Sequence, residues 1–232
     1  MALGLPEQRE KAAVVEAMFD RIASRYDLLN RLLTLRLDQR WRRMTIRRAG
    51  IGRSDRVVDL GCGTGDMCAL AAAAGAHVVG IDFAAGMLAV ARSRDGTALF
   101  VRADAEALPL RAASATVVTS AFALRNFASI THVLSEAARV LEPGGRLALL
   151  EVDAPTGTLG RWVHALYFNR IVPLVGAVLS DRAAYAYLPR STAYLPTEPR
   201  LRQLIALAGF SDVAKQQLSG GAAQLILALR HG

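Results

Sequence analysis

The densest chemistry in the sequence lies in Val57-Val58-Asp59-Leu60-Gly61-Cys62-Gly63-Thr64-Gly65-Asp66, where three alternate glycines separate a strand-like apolar run from a stretch of helical character. Glycines in such a turn let the backbone approach a ligand and aim amides at it, although a tight turn with no ligand uses them too. The dinucleotide fingerprint G-x-G-x-x-G needs glycine at position 66, where Asp66 stands, so a nicotinamide reading loses its third glycine. Another pattern is complete. Asp82 closes the apolar run 77–81, seventeen residues past Gly65, where a carboxylate can accept both hydroxyls of a ribose. Asp104 and Ala105 follow the next run and offer a carboxylate and a small residue, suited to an adenine amine beside an apolar wall. Asp59 can orient the loop or meet an ammonium group. A single aspartate at a strand end is more often a cap, but three on successive parallel strands stand over one crevice, where such sheets bind ligands.

Other chemistries find less support. Cys62 and Cys68 cannot build a disulfide framework, and His77, His132, His164 and His231 are scattered, so no metal-ligand spacing exists and the expected metal content is none. A reducing, cytoplasmic chain is the simplest reading. Charges interrupt the N-terminus where a signal peptide needs an apolar run. The longest uncharged stretch, 67–81, has fifteen residues against about 20 for a membrane-spanning helix.

Length and pattern say what must position these residues. The chain has 232 residues, 53% of them apolar, enough for a sizeable core. Residues 10–24 place Val14, Met18 and Ile22 on one stripe, and a second helical stretch at 28–49 carries Leu28, Leu29, Leu32, Leu33, Trp41 and Met44. Together they make an N-terminal helical cap, 1–52. From Arg56 the pattern changes: short apolar runs at 56–60, 77–81, 98–102, 115–121 and 146–152 alternate with helical segments. This alternation predicts a largely parallel sheet covered on both faces, with a ligand-binding core over 53–152. An aromatic, proline-containing insertion follows at 153–197, then a helix at 199–208 and strands at 213–218 and 223–230, all within a single domain.

The glycine loop resembles the first motif, D/E-x-G-x-G-x-G, of the class I S-adenosylmethionine-dependent methyltransferases, matched by Asp59, Gly61, Gly63 and Gly65. The resemblance narrows with Met18-Phe19-Asp20-Arg21-Ile22-Ala23, Tyr26-Asp27-Leu28-Leu29-Asn30, Arg40-Trp41-Arg42, Asp104-Ala105-Glu106-Ala107-Leu108-Pro109, Ala121-Phe122-Ala123-Leu124-Arg125-Asn126, Pro143-Gly144-Gly145-Arg146-Leu147 and Tyr187-Leu188-Pro189. These are similar to the signatures of the UbiE/COQ5 family, which methylates a ring carbon of demethylmenaquinol or its benzoquinol counterpart. The resemblance implies a Rossmann-like α/β fold: a mostly parallel twisted sheet of about seven strands, helices on both faces and the helical cap. It also implies S-adenosylmethionine as cofactor, leaving as S-adenosylhomocysteine, with contacts at Thr64, Asp82, Asp104 and Ala105. Three departures stand out: Ala123 replaces a usual glycine, Ala121 a serine found in some members, and Gly221-Ala222-Ala223-Gln224 the terminal His-Arg-Gly.

A methyl sulfonium is already a strong electrophile, so the protein must chiefly hold the ring carbon in line with it, and positioning supplies on the order of 7 to 11 kcal/mol. A quinol carbon becomes nucleophilic as its hydroxyl loses a proton, which calls for a group that takes the proton or stabilises the phenolate. Arg125 and Asn126, just past the fourth strand, are the candidates. Tyr26 and Asp27 of the cap, with Asn30, could close over the site. The competing uses are packing for Tyr26 and an ion pair with a nearby carboxylate for Arg125.

Between positions 31 and 53 eight arginines face only Asp38, so most of the net charge of +8 lies there. Arginine clusters track phosphates, but Ser120-Ala121-Phe122-Ala123 lacks the Asn/Asp-Pro-Pro-Tyr/Phe motif of enzymes that methylate base amines, and no Pro-Cys nucleophile is present. No nucleic-acid partner is expected. A non-enzymatic cofactor-binding subunit would not need the aromatics of the insertion, about half of which could instead serve core packing or a homodimer contact. A prenylated quinol lives in the bilayer. The cluster, with the run 171–179, therefore predicts peripheral contact with an anionic membrane surface.

Overall fold

The computed structural model describes residues 8–94, 96–153 and 191–232. Most of the expected insertion, with the run 171–179 and Tyr187-Leu188-Pro189, lies outside the described residues.

The chain opens with helix α1 (Gln8–Leu33) and helix α2 (Leu37–Arg48). The expected break between 24 and 28 is absent, because nothing there stops a helix. It falls instead at Leu35 and Arg36, which take left-handed φ values of 51° and 64°. The Thr34 hydroxyl lies 2.7 Å from both the Asn30 carbonyl and an Asp38 carboxylate oxygen, satisfying the end of one helix while steering the start of the next. α2 buries Asp38, Trp41, Arg42, Thr45 and Ile46, a stripe of helical period that includes one of the arginines.

Alternation then runs as expected: β1 (Arg56–Leu60), α3 (Asp66–Ala73), β2 (His77–Asp82), α4 (Ala85–Arg94), β3 (Leu99–Arg102), β4 (Ala115–Ala121), α5 (Ile130–Val140), β5 (Leu141–Val152), α6 (Glu198–Leu207), β6 (Phe210–Leu218) and β7 (Ala223–Arg230). β5 begins at Leu141, directly after α5, not at 146. Pro143-Gly144-Gly145 forms an irregular start at which the pairing with β4 slips between Ala115 and Val117.

The seven strands lie in the order β3-β2-β1-β4-β5-β7-β6, with β7 antiparallel to both neighbours and the β3-β2-β1-β4-β5 pairs parallel. Alternate side chains feed two cores. Val58, Leu60, Val118, Leu147 and Leu149 join Val133, Leu134, Leu201 and Ile205 of α5 and α6. On the other face Val57, Val78, Val117 and Leu150 meet Trp41, Ile46, Met67, Cys68 and Leu88 from α2, α3 and α4. The strand order reverses between β1 and β4, which opens a crevice past their C-terminal ends, the place where such sheets bind ligands.

Candidate active site

The glycine loop caps that crevice. Gly61, with φ 66°, could not carry a side chain: a Cβ there would lie 2.5 Å from the Ala123 Cβ. Gly65, with φ 86°, faces the Phe100 ring, 3.1 Å from where its Cβ would be. Gly63, with φ 55°, differs: a Cβ would meet nothing within 4 Å, so this loop edge borders open space. Its amide donates to Asp82 Oδ2 at 2.8 Å, while the Ala84 amide donates to Asp82 Oδ1 at 2.9 Å. Asp82 therefore ties loop to strand, and burial raises its carboxyl above the usual range against these stabilising amides.

Asp59 points inward from β1 and is 2% exposed. It accepts from the Thr119 hydroxyl at 2.6 Å and the Cys68 thiol at 3.5 Å, and desolvation pushes its carboxyl up to about 6. Asp104 stays exposed and accepts the Glu106 amide at 2.9 Å, whereas Ala105 is buried in the core beneath it.

α1 lies along this edge. Glu16 pairs with Arg102 at the end of β3, Asp20 accepts the Gly86 amide at the start of α4, and Asp27 accepts from the Thr64 hydroxyl at 2.6 Å while pairing with Arg94. The cap thus grips the loop through Asp27. Tyr26 stacks edge-on against Phe19, and burial raises its hydroxyl above the usual range, opposed by the Arg125 charge and a bond to Asn30. The phenol is a neutral donor at physiological pH.

Across the crevice, Arg125 and Asn126 form a buried 3-10 turn just past β4. Arg125 makes an ion pair with Glu151 of β5 and donates from Nε to Ser191 Oγ at 3.1 Å and from Nη1 to the Phe122 carbonyl at 2.9 Å. Glu151, 1% exposed, also accepts the backbone amides of Arg125 and Val152. The ion-pair use of Arg125 and its placement at the crevice are both true. Phe122 itself takes a left-handed φ of 61°, rare for a bulky residue and of the kind that clusters at functional sites.

Sequence reasoning missed Glu151, Ser191 and Arg42. Glu151 is the one charge in the otherwise apolar stretch 147–152 of β5, a pattern that could have flagged it. Arg42 was read with its neighbours as a surface charge, but it is buried; Arg36, Arg40, Arg43, Arg47, Arg48 and Arg53 are the exposed members of the cluster. Cys62 and Cys68 are buried and free.

The strand order, the helices on both faces and a glycine loop tied to an acidic second-strand end define an S-adenosylmethionine-dependent methyltransferase fold. Solved structures agree in fold. A putative methyltransferase in complex with the Haloferax volcanii Trm112 activator superimposes with a TM-score of 0.67 at 19% identity, covering 92% of this chain and 98% of that one. A Thermotoga maritima S-adenosylmethionine-dependent methyltransferase gives 0.62 at 20% identity, covering 92% and 99%.

Residues 6–230 match the model of the ubiE/COQ5 methyltransferase family, and the chain belongs to that family. It is 44% identical over 201 residues to the demethylmenaquinone methyltransferase of Thermus thermophilus, covering 84% of this chain and 91% of that protein. The demethylmenaquinone methyltransferase of Roseiflexus castenholzii is 40% identical with 98% of both chains covered. The ubiquinone/menaquinone biosynthesis C-methyltransferase of Syntrophotalea carbinolica is 39% identical, covering 88% and 89%. The chain is accordingly an S-adenosylmethionine-dependent C-methyltransferase of quinone biosynthesis.

Proposed function

We propose that the methyl acceptor is the ring of demethylmenaquinol, and that the crevice between β1 and β4 holds donor and acceptor together. The observation that carries this reading is the meeting of two differently built groups at one edge: Gly63 bordering open space beside buried Asp82, and Arg125 held by Glu151 across from them. The residues present fit the cofactor. Asp82 would take the ribose hydroxyls, Asp104 and Ala105 the adenine, Gly61, Gly63 and Gly65 the close backbone approach, with Thr64 on the loop and Asp59 beneath it. Bound there, S-adenosylmethionine supplies an electrophilic methyl group and nothing more is asked of it.

The chain's own groups then act on the acceptor. Arg125 is a donor and takes no proton. Its Nη2, which makes none of the bonds described above, would face the developing phenolate, and Asn126 beside it would add a hydrogen bond. Glu151 fixes the guanidinium plane, and the protonated Tyr26 offers a further donor from the cap. Such donors, set before the reaction, stabilise charge without reorganising. Asp27 is a positioning residue that keeps the cap on the loop. Asp82→Ala should weaken S-adenosylhomocysteine by about 1.5 to 3 kcal/mol in calorimetry with the fold intact; unchanged affinity would reject the ribose assignment. For the acceptor, mass spectrometry of quinones from cells lacking the protein should show a menaquinone one methyl lighter, whereas an accumulating benzoquinone precursor would reject the naphthoquinol.

No helix among the described residues is long and apolar enough to cross a membrane. A cytoplasmic enzyme acting on a prenylated quinol must therefore reach it at the surface. Arg36, Arg40, Arg43, Arg47, Arg48 and Arg53 are exposed and make no ion pair among the described residues, a basic patch worth about 1 kcal/mol per residue near anionic lipid. Cosedimentation with anionic liposomes should fall with salt and when Arg43, Arg47 and Arg48 are neutralised together. Indifference to both would return the patch to bulk solvent.

A further inference from the structure

Arg42 is the one arginine of the basic cluster that α2 turns inward as a buried side chain, at 8% exposure. Its guanidinium carbon stands 5.2 Å from the centroid of the Phe122 ring. Among the described residues it has neither an ion pair nor a hydrogen bond, and its fully buried Nε has no partner at all. A guanidinium taken out of water without a carboxylate or carbonyl is costly, and a ring face offsets only part of that cost. The other arginines near the crevice each have a carboxylate: Arg31 reaches Asp66 although its Nε is also without a partner, Arg94 reaches Asp27, and Arg125 has Glu151. Of these four, Arg42 alone has no carboxylate beside it among the described residues.

Its position says what is missing. Phe122 follows β4, next to the switch point, and the charge of Arg42 is felt by both Asp59 of β1 and Tyr26 of the cap. Neither pairs with it: Asp59 is engaged by Thr119 and Cys68, and Tyr26 by Asn30. With the nucleoside end of the cofactor assigned over β2 and β3, at Asp82 and Asp104, a ligand lying along the crevice puts its other end over β1 and β4. In S-adenosylmethionine that end is an amino acid, and its carboxylate is the planar anion that a guanidinium fork matches in two parallel hydrogen bonds. We propose that Arg42 anchors the α-carboxylate of the methionine moiety. This rests on the cofactor placement given above; the phenolate of the acceptor is the rival source of an anionic oxygen.

The test uses ligands that differ at that carboxylate. S-adenosylhomocysteine carries it, S-adenosylhomocysteine carboxamide does not, and 5′-methylthioadenosine lacks the whole amino-acid end. Calorimetry on the whole chain should show Arg42→Gln losing at least about tenfold in affinity for S-adenosylhomocysteine, with methylthioadenosine unchanged and Arg42→Lys recovering part of the loss. Wild type should prefer the acid to the carboxamide by a similar factor, and Arg42→Gln should not distinguish them. Methylthioadenosine binding certifies that the variant is folded. The proposal is overturned if both ligands weaken alike in Arg42→Gln, if the acid and carboxamide bind wild type equally, or if donor affinity holds while only methyl transfer falls, which would hand Arg42 to the acceptor. Failure of the underlying cofactor placement looks different: methylthioadenosine would then bind Asp82→Ala as well as wild type.

Discussion

On the β1–β2 side of the crevice, the groups facing the ligand space are main-chain amides and short aspartates, held by positive φ values in the loop and by hydrogen bonds to backbone amides and a neighbouring strand. Gly61, Gly63 and Gly65 set the loop, and the Asp82 oxygens accept one amide from the loop, that of Gly63, and one from just past β2, that of Ala84. On the β4–β5 side, the work falls to a long side chain. Arg125 is held by Glu151, 26 positions on, and Ser191, 66 positions on, above a strained Phe122. The first arrangement should fail by losing its shape and the second by stranding a charge, so substitutions on the two sides should differ in size and in which ligand suffers.

The largest effect is expected from Glu151→Ala. Removing one partner of a buried ion pair typically costs about 3 to 5 kcal/mol, because the other charge remains buried. Denaturant unfolding should show that loss, while the gentler Glu151→Gln should keep S-adenosylhomocysteine affinity near wild type and depress methyl transfer. A parallel fall in donor binding would mean the two sides are not separable. Gly61→Ala comes next, at roughly 2 to 4 kcal/mol, from a Cβ at positive φ and its clash with Ala123. Here donor affinity should suffer first. Because that clash crosses from one side to the other, Ala123→Gly added to Gly61→Ala should restore the steric part and leave the φ part. Strict additivity of the two changes would show that the loop and the β4 turn do not touch energetically.

The same division governs how much could be read from the sequence. The strands were legible because short apolar runs end at turn residues, and Asp59, Asp82 and Asp104 were legible because each lies at or near the C-terminal end of such a run. The break between α1 and α2 was not, since Leu35 and Arg36 reach left-handed backbone with neither glycine nor proline to announce it. Arg125 was legible through its motif, but its partner depends on the β4–β5 register, which sets Ala121 beside Leu150 and brings Glu151 level with the turn. Arg42 was hidden among exposed arginines although positions 38, 42, 45 and 46 share the buried stripe of α2. Charge masked periodicity there.

A smaller effect, of opposite sign, is expected at Asp59. Burial holds its carboxyl near 6 against an ordinary 3.8, so the folded chain keeps a proton that the unfolded chain gives up. That contribution is intact at low pH, declines as pH rises from about 4 to about 6, and leaves a constant cost of roughly 2 to 3 kcal/mol above that range. Asp59→Asn removes the titration and gives up part of the bonding to Thr119 and Cys68, for a net gain of about 1 to 2 kcal/mol at pH 8 and none at pH 4. A pH-independent difference between variant and wild type would show that Asp59 is not titrating in this way.

The smallest effect should come from the latch between cap and loop. Asp27 is paired with Arg94, which is 35% exposed, and solvent screens such pairs to about 0 to 1 kcal/mol. Its 2.6 Å bond from Thr64 survives in Asp27→Asn through the amide oxygen. Stability should therefore drop by less than about 1 kcal/mol, with a loss of a few fold in donor affinity as the loop loosens. Salt discriminates further, since raising ionic strength weakens the pair in wild type and should bring the two proteins together. If Asp27→Asn cut methyl transfer by orders of magnitude while donor affinity held, Asp27 would belong with Arg125 at the reacting carbon. The helical cap would then be part of the acceptor side, joined to it through Tyr26, and not the outer wall of the glycine loop.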